Sequence, residues 1–356
     1  MDLSNKDIYI RNKVQRIFIM NSSISCRNLI GLLITALIIC LISGCQTSKN
    51  VNNSKVIGNE MATVSIQTFG SDKHQFTENF TKIPERVIVV NLNELNLLLA
   101  FGLGDKVVDA EVNTSGKPYM EMAQKYPQEL SKVKFTNAHT ISKEQAMADN
   151  PDFILGWKST FTKSYLGTTD WWNSRGVKTY IVPSSNHVLG KATIEDECNY
   201  IMDIGKIFRV QDRAQQIIDE IHEEINKDKA AINGKPPQKV MVVEMTDRYL
   251  WNYDDGWLVG DMVRQLGGVM PVKERHISQE DLITYNPDVM FVVTFSDATQ
   301  TGYQTITTSP KFNSMKAVQN HRVYPIRLDQ MYATSAKTVE GLRIIKKGLY
   351  PELHDG

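Results

Sequence analysis

The sequence predicts an α/β chain of two Rossmann-like lobes, each built on a mainly parallel sheet, joined by one long α-helix. Three observations carry that expectation. First, a block of residues recurs at one constant offset: Ile141-Ser142, Glu144 and Asn150-Pro151-Asp152, then Ile277-Ser278, Glu280 and Asn286-Pro287-Asp288. Second, each block runs into a continuous apolar stretch, Phe153-Ile154-Leu155 and Val289 to Phe295, the pattern of a strand covered on both faces. Third, the halves are separated by an amphipathic stretch, Asp212 to Ile232, without glycine or proline.

The elements follow in chain order. Lys6, Arg11, Lys13, Arg16 and Arg27 precede an apolar run, Leu29 to Ile42, that falls short of the ~20 residues a membrane span needs. A basic flank, a short apolar core and the exit Leu41-Ile42-Ser43-Gly44-Cys45 read as an export signal over 1–44, with Met20 an alternative start to Met1. The exit resembles a bacterial lipobox, which implies that Cys45 is lipidated. Residues 45–60, rich in Asn, Ser and Lys, read as a flexible tether.

The N-terminal lobe is expected over 61–192. Arg86 to Val90 is its first strand, followed by a helix ending Phe101-Gly102-Leu103-Gly104. Ser142 caps a later helix with Glu144 in the first turn, where the helix dipole favours a carboxylate, and Pro151 ends it. Gly176 to Val182 is a late strand. A helical segment follows over 193–234. Thr193 caps a helix with Ile194, Cys198, Ile201, Ile204 and Phe208 on one face. Asp212 opens the next, roughly 30 Å long, which Pro236-Pro237 cannot continue. The C-terminal lobe, 235–356, repeats the scheme: strand Lys239 to Val243, a helix ending Leu266-Gly267-Gly268, the Ser278-capped helix, strand Val289 to Phe295 and strand Arg322 to Ile326. Each half is thus expected to run strand, helix, helix, strand, helix, strand.

Composition narrows the function. With 40 basic and 40 acidic residues the net charge is zero, which argues against broad phosphate neutralisation, so no nucleic-acid partner is expected. Loss of 1–44 leaves only Cys45 and Cys198, so no intrachain disulfide is expected. There is no Gly-x-Ser-x-Gly elbow, His-Glu-x-x-His helix or Gly-x-x-x-x-Gly-Lys loop. Asp254 and Asp255 are adjacent, and in an extended chain they face opposite ways. No enzyme and no resident cofactor are expected. The histidines are scattered with no His-x-His pair, so no metal site is expected either.

In open α/β sheets, ligands sit beyond the carboxyl ends of the strands. Aromatics and cations concentrate in those loops: Trp157 and Lys158 after one strand, Tyr249, Trp251 and Tyr253 in one long loop, Arg327 and Tyr332 at the last. Trp and Tyr offer flat apolar area at low entropic cost, and Arg a fork for anions. Trp171 and Trp172 lie on a helical stretch and read as packing. Met245, Met270, Met331, His276 and His321 are weaker candidates as iron ligands.

Taken in order behind the lipobox, several features resemble the substrate-binding lipoproteins of ABC importers for iron chelates, haem and cobalamin. They are Arg86 to Val90 with Gly102-Leu103-Gly104-Asp105-Lys106-Val107, the two Glu…Asn-Pro-Asp units, Leu266-Gly267-Gly268 and Asn320-His321-Arg322-Val323-Tyr324. The resemblance covers nearly all of 60–350. It implies a bilobal monomer that closes little on its ligand and is lipid-anchored on the extracytoplasmic face of the cell membrane. It implies a small-molecule metal chelate held in the interlobe cleft and handed to a permease dimer. An iron–siderophore complex is the first expectation. Corrinoid, suggested by an aromatic like Trp157, and haem are the alternatives; a bare-metal binder or a sensor without transport is a further one. The resemblance also places permease docking on Glu144 and Glu280, one on each lobe.

Overall fold

A computed structural model describes residues 62–135, 140–295 and 300–353. The expected export signal 1–44, the lipidation residue Cys45 and the tether 45–60 lie outside the described residues. No helix among the described residues is long and apolar enough to cross a membrane.

The described chain opens with a hairpin absent from the sequence expectation: β1 (Val64–Phe69) pairs antiparallel with β2 (Gln75–Phe80). Its outer face carries polar cross-strand pairs, Ser65 with Asn79 and Gln67 with Thr77, while Ile66, Thr68 and Phe80 are buried. Lys73 turns the chain with φ 74°.

The first sheet follows. In chain order it runs β3 (Val87–Val90), α1 (Leu92–Ala100), β4 (Val107–Glu111), α2 (Lys117–Lys125), α3 (Pro127–Leu130), α4 (Lys143–Ala148), β5 (Phe153–Gly156), α5 (Thr169–Asn173) and β6 (Lys178–Ile181). The strands lie in the order β4-β3-β5-β6, all parallel. The expected element order is corrected here: β4 follows α1 directly. Its Val107-Val108 start and Ala110 are buried although Asp109 interrupts the apolar pattern.

Two helices come next, α6 (Ile194–Phe208) and α7 (Gln211–Ile232). Thr193 caps α6 with its hydroxyl, and Asp196 returns the bond to complete a capping box. Arg209, at φ 60°, ends α6 in the left-handed region. Asp212 lies in the first turn of α7, where it faces the dipole; the cap position is Val210, which makes no side-chain bond. A Cβ on Gly205 would lie 2.6 Å from Cβ of Ala214, so only glycine lets the two helices approach this closely. Ala214, Ile218, Ile221 and Ile225 form the buried stripe of α7. Each isoleucine contributes about 1.5–3 kcal/mol of burial.

The second sheet runs β7 (Val240–Met245), β8 (Leu250–Asn252), α8 (Leu258–Gln265), β9 (His276–Ile277), α9 (Gln279–Tyr285), β10 (Val289–Thr294), α10 (Thr301–Thr308), α11 (Lys316–Gln319) and β11 (Val323–Arg327). The chain then closes with α12 (Leu328–Met331) and α13 (Thr338–Leu349). Its strand order is β11-β10-β7-β8-β9, with β11, β10 and β7 parallel and β8 and β9 added antiparallel. The long aromatic loop expected after Val243 therefore contains a strand of its own, β8.

The sequence repeat acquires a mechanical meaning. Asn150 and Asn286 both adopt left-handed backbone, φ 46° and 48°. The proline then prevents helix continuation, and the aspartate reaches the start of the neighbouring strand. Asp152 accepts from the Arg86 amide at 2.9 Å, and Asp288 from the Lys239 amide at 2.9 Å. Each Asn-Pro-Asp unit thus sets the register of one parallel pair, β5 on β3 and β10 on β7.

Candidate functional site

The carboxyl ends of the parallel strands of the two sheets meet at a seam. Trp157, directly after β5, is half-buried and donates its indole N–H to Glu94 Oε1 at 3.0 Å. Its ring meets Tyr332, from the other half, edge-on at 4.8 Å between centroids. The amide of Asn186 in turn donates to the Tyr332 hydroxyl. Around the two rings lies a cavity of about 180 Å³, lined by Asn91, Asn93, Asn113 and Phe295 besides Trp157 and Tyr332. Phe295 is 46% exposed, an unusual state for its type and one that suits a ligand wall.

The rings continue away from this cavity. Tyr332 packs on the buried Trp257 at 5.4 Å, and Trp257 on His187 at 3.7 Å and Tyr253 at 5.2 Å. Trp251 stands opposite His276 in the β8–β9 register, with ring centroids 4.8 Å apart, and Tyr249 packs on His276 at 4.3 Å. The expected trio occupies alternate positions, which an extended chain turns to one side, and it separates by depth instead. Tyr253 is buried, with its hydroxyl donating to Glu244 at 2.9 Å, while Trp251 and Tyr249 stay half-exposed.

Three cations flank this wall: Lys73 from the β1–β2 turn, Lys158 after β5 and Arg275 before β9. Burial, with Lys158 and Arg275 nearby, holds the Lys73 ammonium below its usual range. Burial, with Arg275 and Lys73 nearby, pushes His187 down to about 4, so its ring is neutral at pH 7. Among the described residues no carboxylate forms an ion pair with Lys158 or Arg275. A cluster of like charge beside flat rings is an anion trap.

Arg327 does something else. It is 6% exposed and its fork is already filled, by Asp329 at 3.0 Å and by Glu121 of α2 at 2.8 Å, while Lys337 completes the network at 2.6 Å from Asp329. Glu340 lies 3.8 Å from Lys337 and Lys117 3.8 Å from Glu121 at its edge. Together with the Asn93 amide, which donates to the Asp329 and Ala333 carbonyls at 3.1 and 3.0 Å, the network clamps one half to the other. A ligand does not meet a free guanidinium there. A larger cavity, about 560 Å³, lies between α2, α7 and α13, lined by charged side chains such as Glu220, Lys227 and Lys337. It offers no aromatic wall, and its Arg343 already pairs with Glu224 at 2.7 Å. The smaller, ring-lined cavity is the better candidate.

Two buried carboxylates under the seam escaped the sequence reading. Burial raises Glu94 to about 8 and Glu197 to about 7. Glu197 accepts from the Ser335 amide at 2.7 Å, which ties α6 to the other half. A sequence signal existed for Glu197, since it shares the face of Ile194 and Ile201. Both groups are protonated in the folded chain at pH values where the unfolded chain has ionised them. Their contribution to stability is therefore full below about 4.5 and lost as pH rises toward 8. Glu94→Gln should flatten this decline: the fall in Tm between pH 5 and pH 8 is expected to be smaller than in the wild type. An equal fall in both would show that Glu94 ionises normally.

Glu144 and Glu280 are exposed in the first turns of α4 and α9. Neither is a capping residue. Ser142 accepts from the Gln145 amide, and Ser278 and Asp281 form a reciprocal capping box. Glu280 pairs with Lys311 at 2.7 Å, which holds its carboxyl below the usual range. Trp172, read as packing, is 2% exposed and donates to the Leu166 carbonyl.

Comparison with known proteins now bears on this geometry. The family model described as periplasmic binding protein matches residues 87–329. The chain belongs to the periplasmic binding protein family. The uncharacterized ABC transporter substrate-binding lipoprotein YvrC of Bacillus subtilis is 20% identical over 88% of this chain and 94% of its own length. A periplasmic binding protein from Veillonella parvula is 26% identical, covers 82% of this chain and 92% of its own, and superposes with a TM-score of 0.73. An ABC-type Fe3+-hydroxamate transport system protein of Saccharomonospora viridis, 18% identical, covers 80% and 98% with a TM-score of 0.66. The periplasmic heme-binding protein RhuT of Roseiflexus, 17% identical, covers 75% and 98% with a TM-score of 0.58. In this periplasmic binding protein the matched region begins at β3 and ends at Asp329, so it contains both sheets, while Tyr332 of the seam lies just beyond it.

Proposed function

We propose that the chain is the extracytoplasmic solute-binding lipoprotein of an ABC importer, and that its seam takes a flat, anionic metal chelate of the iron–siderophore type. The observation that carries this reading is the continuous aromatic wall beside Lys73, Lys158 and Arg275 at the strand ends. Rings supply apolar area for a chelate's face, and the cations supply the attraction for its acid groups. The Fe3+-hydroxamate neighbour supports the siderophore reading; the heme-binding neighbour keeps haem as an alternative, with corrinoid beside it. Cys45 would carry the lipid, and Glu144 and Glu280 would meet the permease dimer.

Tryptophan fluorescence of the full chain tests the ligand class. Ferric hydroxamate is expected to quench at micromolar concentration, and Trp157→Ala to weaken binding about tenfold, the equivalent of ~1.4 kcal/mol. Lys158→Ala and Arg275→Ala should each weaken it severalfold, less so at high salt. Quenching by cobalamin or haem without quenching by ferric chelates would transfer the site to those ligands. Silence with all three classes would remove the assignment.

A further inference from the structure

We propose that Glu195, Cys198 and His222 bind a zinc-type divalent cation that staples α6 to α7. Glu195 and Cys198 stand three residues apart on the first turns of α6, and His222 faces them from the middle of α7. His222 Nε2 lies 2.9 Å from Glu195 Oε1 and 3.9 Å from Cys198 Sγ. The three ligand atoms all fall within 4.8 Å of one another. Two ligands bound at about 2.0–2.3 Å to one tetrahedral ion stand roughly 3.3–3.7 Å apart; the observed 2.9 and 3.9 Å bracket that range, and the adjustment falls on the partly exposed Glu195 and His222 side chains.

The arrangement is a convergence rather than a relay. A nucleophilic thiol would need the imidazole to take its proton on one nitrogen while the acid holds the other. Here carboxylate and thiol both point at the same Nε2. Burial, with Glu195 and Glu197 nearby, pushes the thiol up to about 12, the wrong direction for a nucleophile. A divalent cation at the convergence point reverses that balance, because a coordinating thiol is deprotonated by the ion itself.

The donor set selects the ion. One thiolate, one imidazole and one carboxylate suit zinc and its borderline neighbours, not the oxygen-seeking magnesium or calcium. Cys198 is 5% exposed, whereas the side chains of Glu195 and His222 are 66% and 41% exposed, which leaves an outward position for water. Glu197 is not a fourth ligand, because it is turned to Ser335. Among the described residues, the ion-pair partner of Glu195 is His222, and no lysine or arginine competes.

The test uses the full chain in detergent, stripped with a chelator and titrated with cobalt(II) chloride and then zinc(II) chloride. Cobalt should give a thiolate-to-metal charge-transfer band that zinc abolishes, and zinc should raise Tm. Cys198→Ser should remove the band, and His222→Ala should weaken zinc binding by about a hundredfold, at least what loss of an outer partner costs. His222 is partly exposed, so its variant remains foldable if Cys198→Ser does not. Absence of the band in the wild type at millimolar cobalt, its persistence in folded Cys198→Ser, or an unchanged zinc affinity in His222→Ala overturns the proposal. Neither substitution touches the seam, so quenching by seam ligands should be unchanged.

Discussion

Lys346→Met is expected to cost about 3–5 kcal/mol of stability and to lower Tm by roughly 10 °C. Lys346 lies on α13 and Asp228 on α7, with Nζ 2.7 Å from Oδ1. The lysine is 4% exposed and the aspartate 0%. A methionine fills the lysine's volume but removes its charge, and leaves a carboxylate enclosed by protein. The cost of keeping a fully buried carboxylate with one fewer cation beside it, rather than the lost attraction alone, sets the size of the effect. The same reasoning predicts rescue: Asp228→Leu with Lys346→Met should recover most of the loss, because a buried ion pair replaced by apolar groups is often neutral. The neighbouring pair, Arg343 with Glu224, is the internal control. There the arginine side chain is 61% exposed but the carboxylate only 5%, so Arg343→Met should also destabilise, by less because the cation removed is partly solvated. Chemical denaturation of the four chains checks all of this. A Lys346→Met chain within 1 kcal/mol of the wild type would show that Asp228 does not need its partner.

What the sequence made legible was whatever is written locally. The two Asn-Pro-Asp units announce themselves because a left-handed asparagine, a proline and a strand-capping aspartate act within three residues of one another. The apolar runs of β3, β5 and β10 are legible because a doubly covered strand tolerates no polar side. The loops carrying Trp157 and Tyr332 are legible because strand order fixes which ends converge. The same rule could not foresee Arg327's employment. Its partner Glu121 is 206 residues away, and no local pattern joins them. Tyr253 and Trp251 are two positions apart, yet one is buried and the other half-exposed; Tyr253 bonds Glu244 and packs on Trp257, contacts that no local pattern announces. The β1–β2 hairpin did have a signal, the alternation Val64-Ser65-Ile66-Gln67 before Gly70, and its polar outer face masked it. Glu195, Cys198 and His222 meet only because α6 and α7 pack side by side, so scattered histidines in the sequence say little about clusters in space.

The double substitution Glu144→Arg with Glu280→Arg should abolish uptake while leaving ligand affinity within about twofold of the wild type. Both carboxylates are exposed at the start of equivalent helices, and neither is needed for capping. Ser142 works with Gln145, and Ser278 with Asp281. The helices survive their loss, apart from a weak dipole effect. Nor does either glutamate line the ring-walled cavity, so a ligand should not register the change. A two-fold permease presenting one cation to each half would instead meet like charge at both points, which opposes docking far more than a simple deletion does. Each single reversal should leave part of the uptake. Lys311 supplies a further discrimination. It holds Glu280 in an exposed ion pair, the kind that exchanges partners readily, so Lys311→Ala should leave uptake intact. Uptake by intact cells, set against quenching by the same purified chains, separates docking from binding. Normal transport by the double variant would mean that this pseudo-symmetric pair is only surface, and that the permease contact must be sought elsewhere on the two halves.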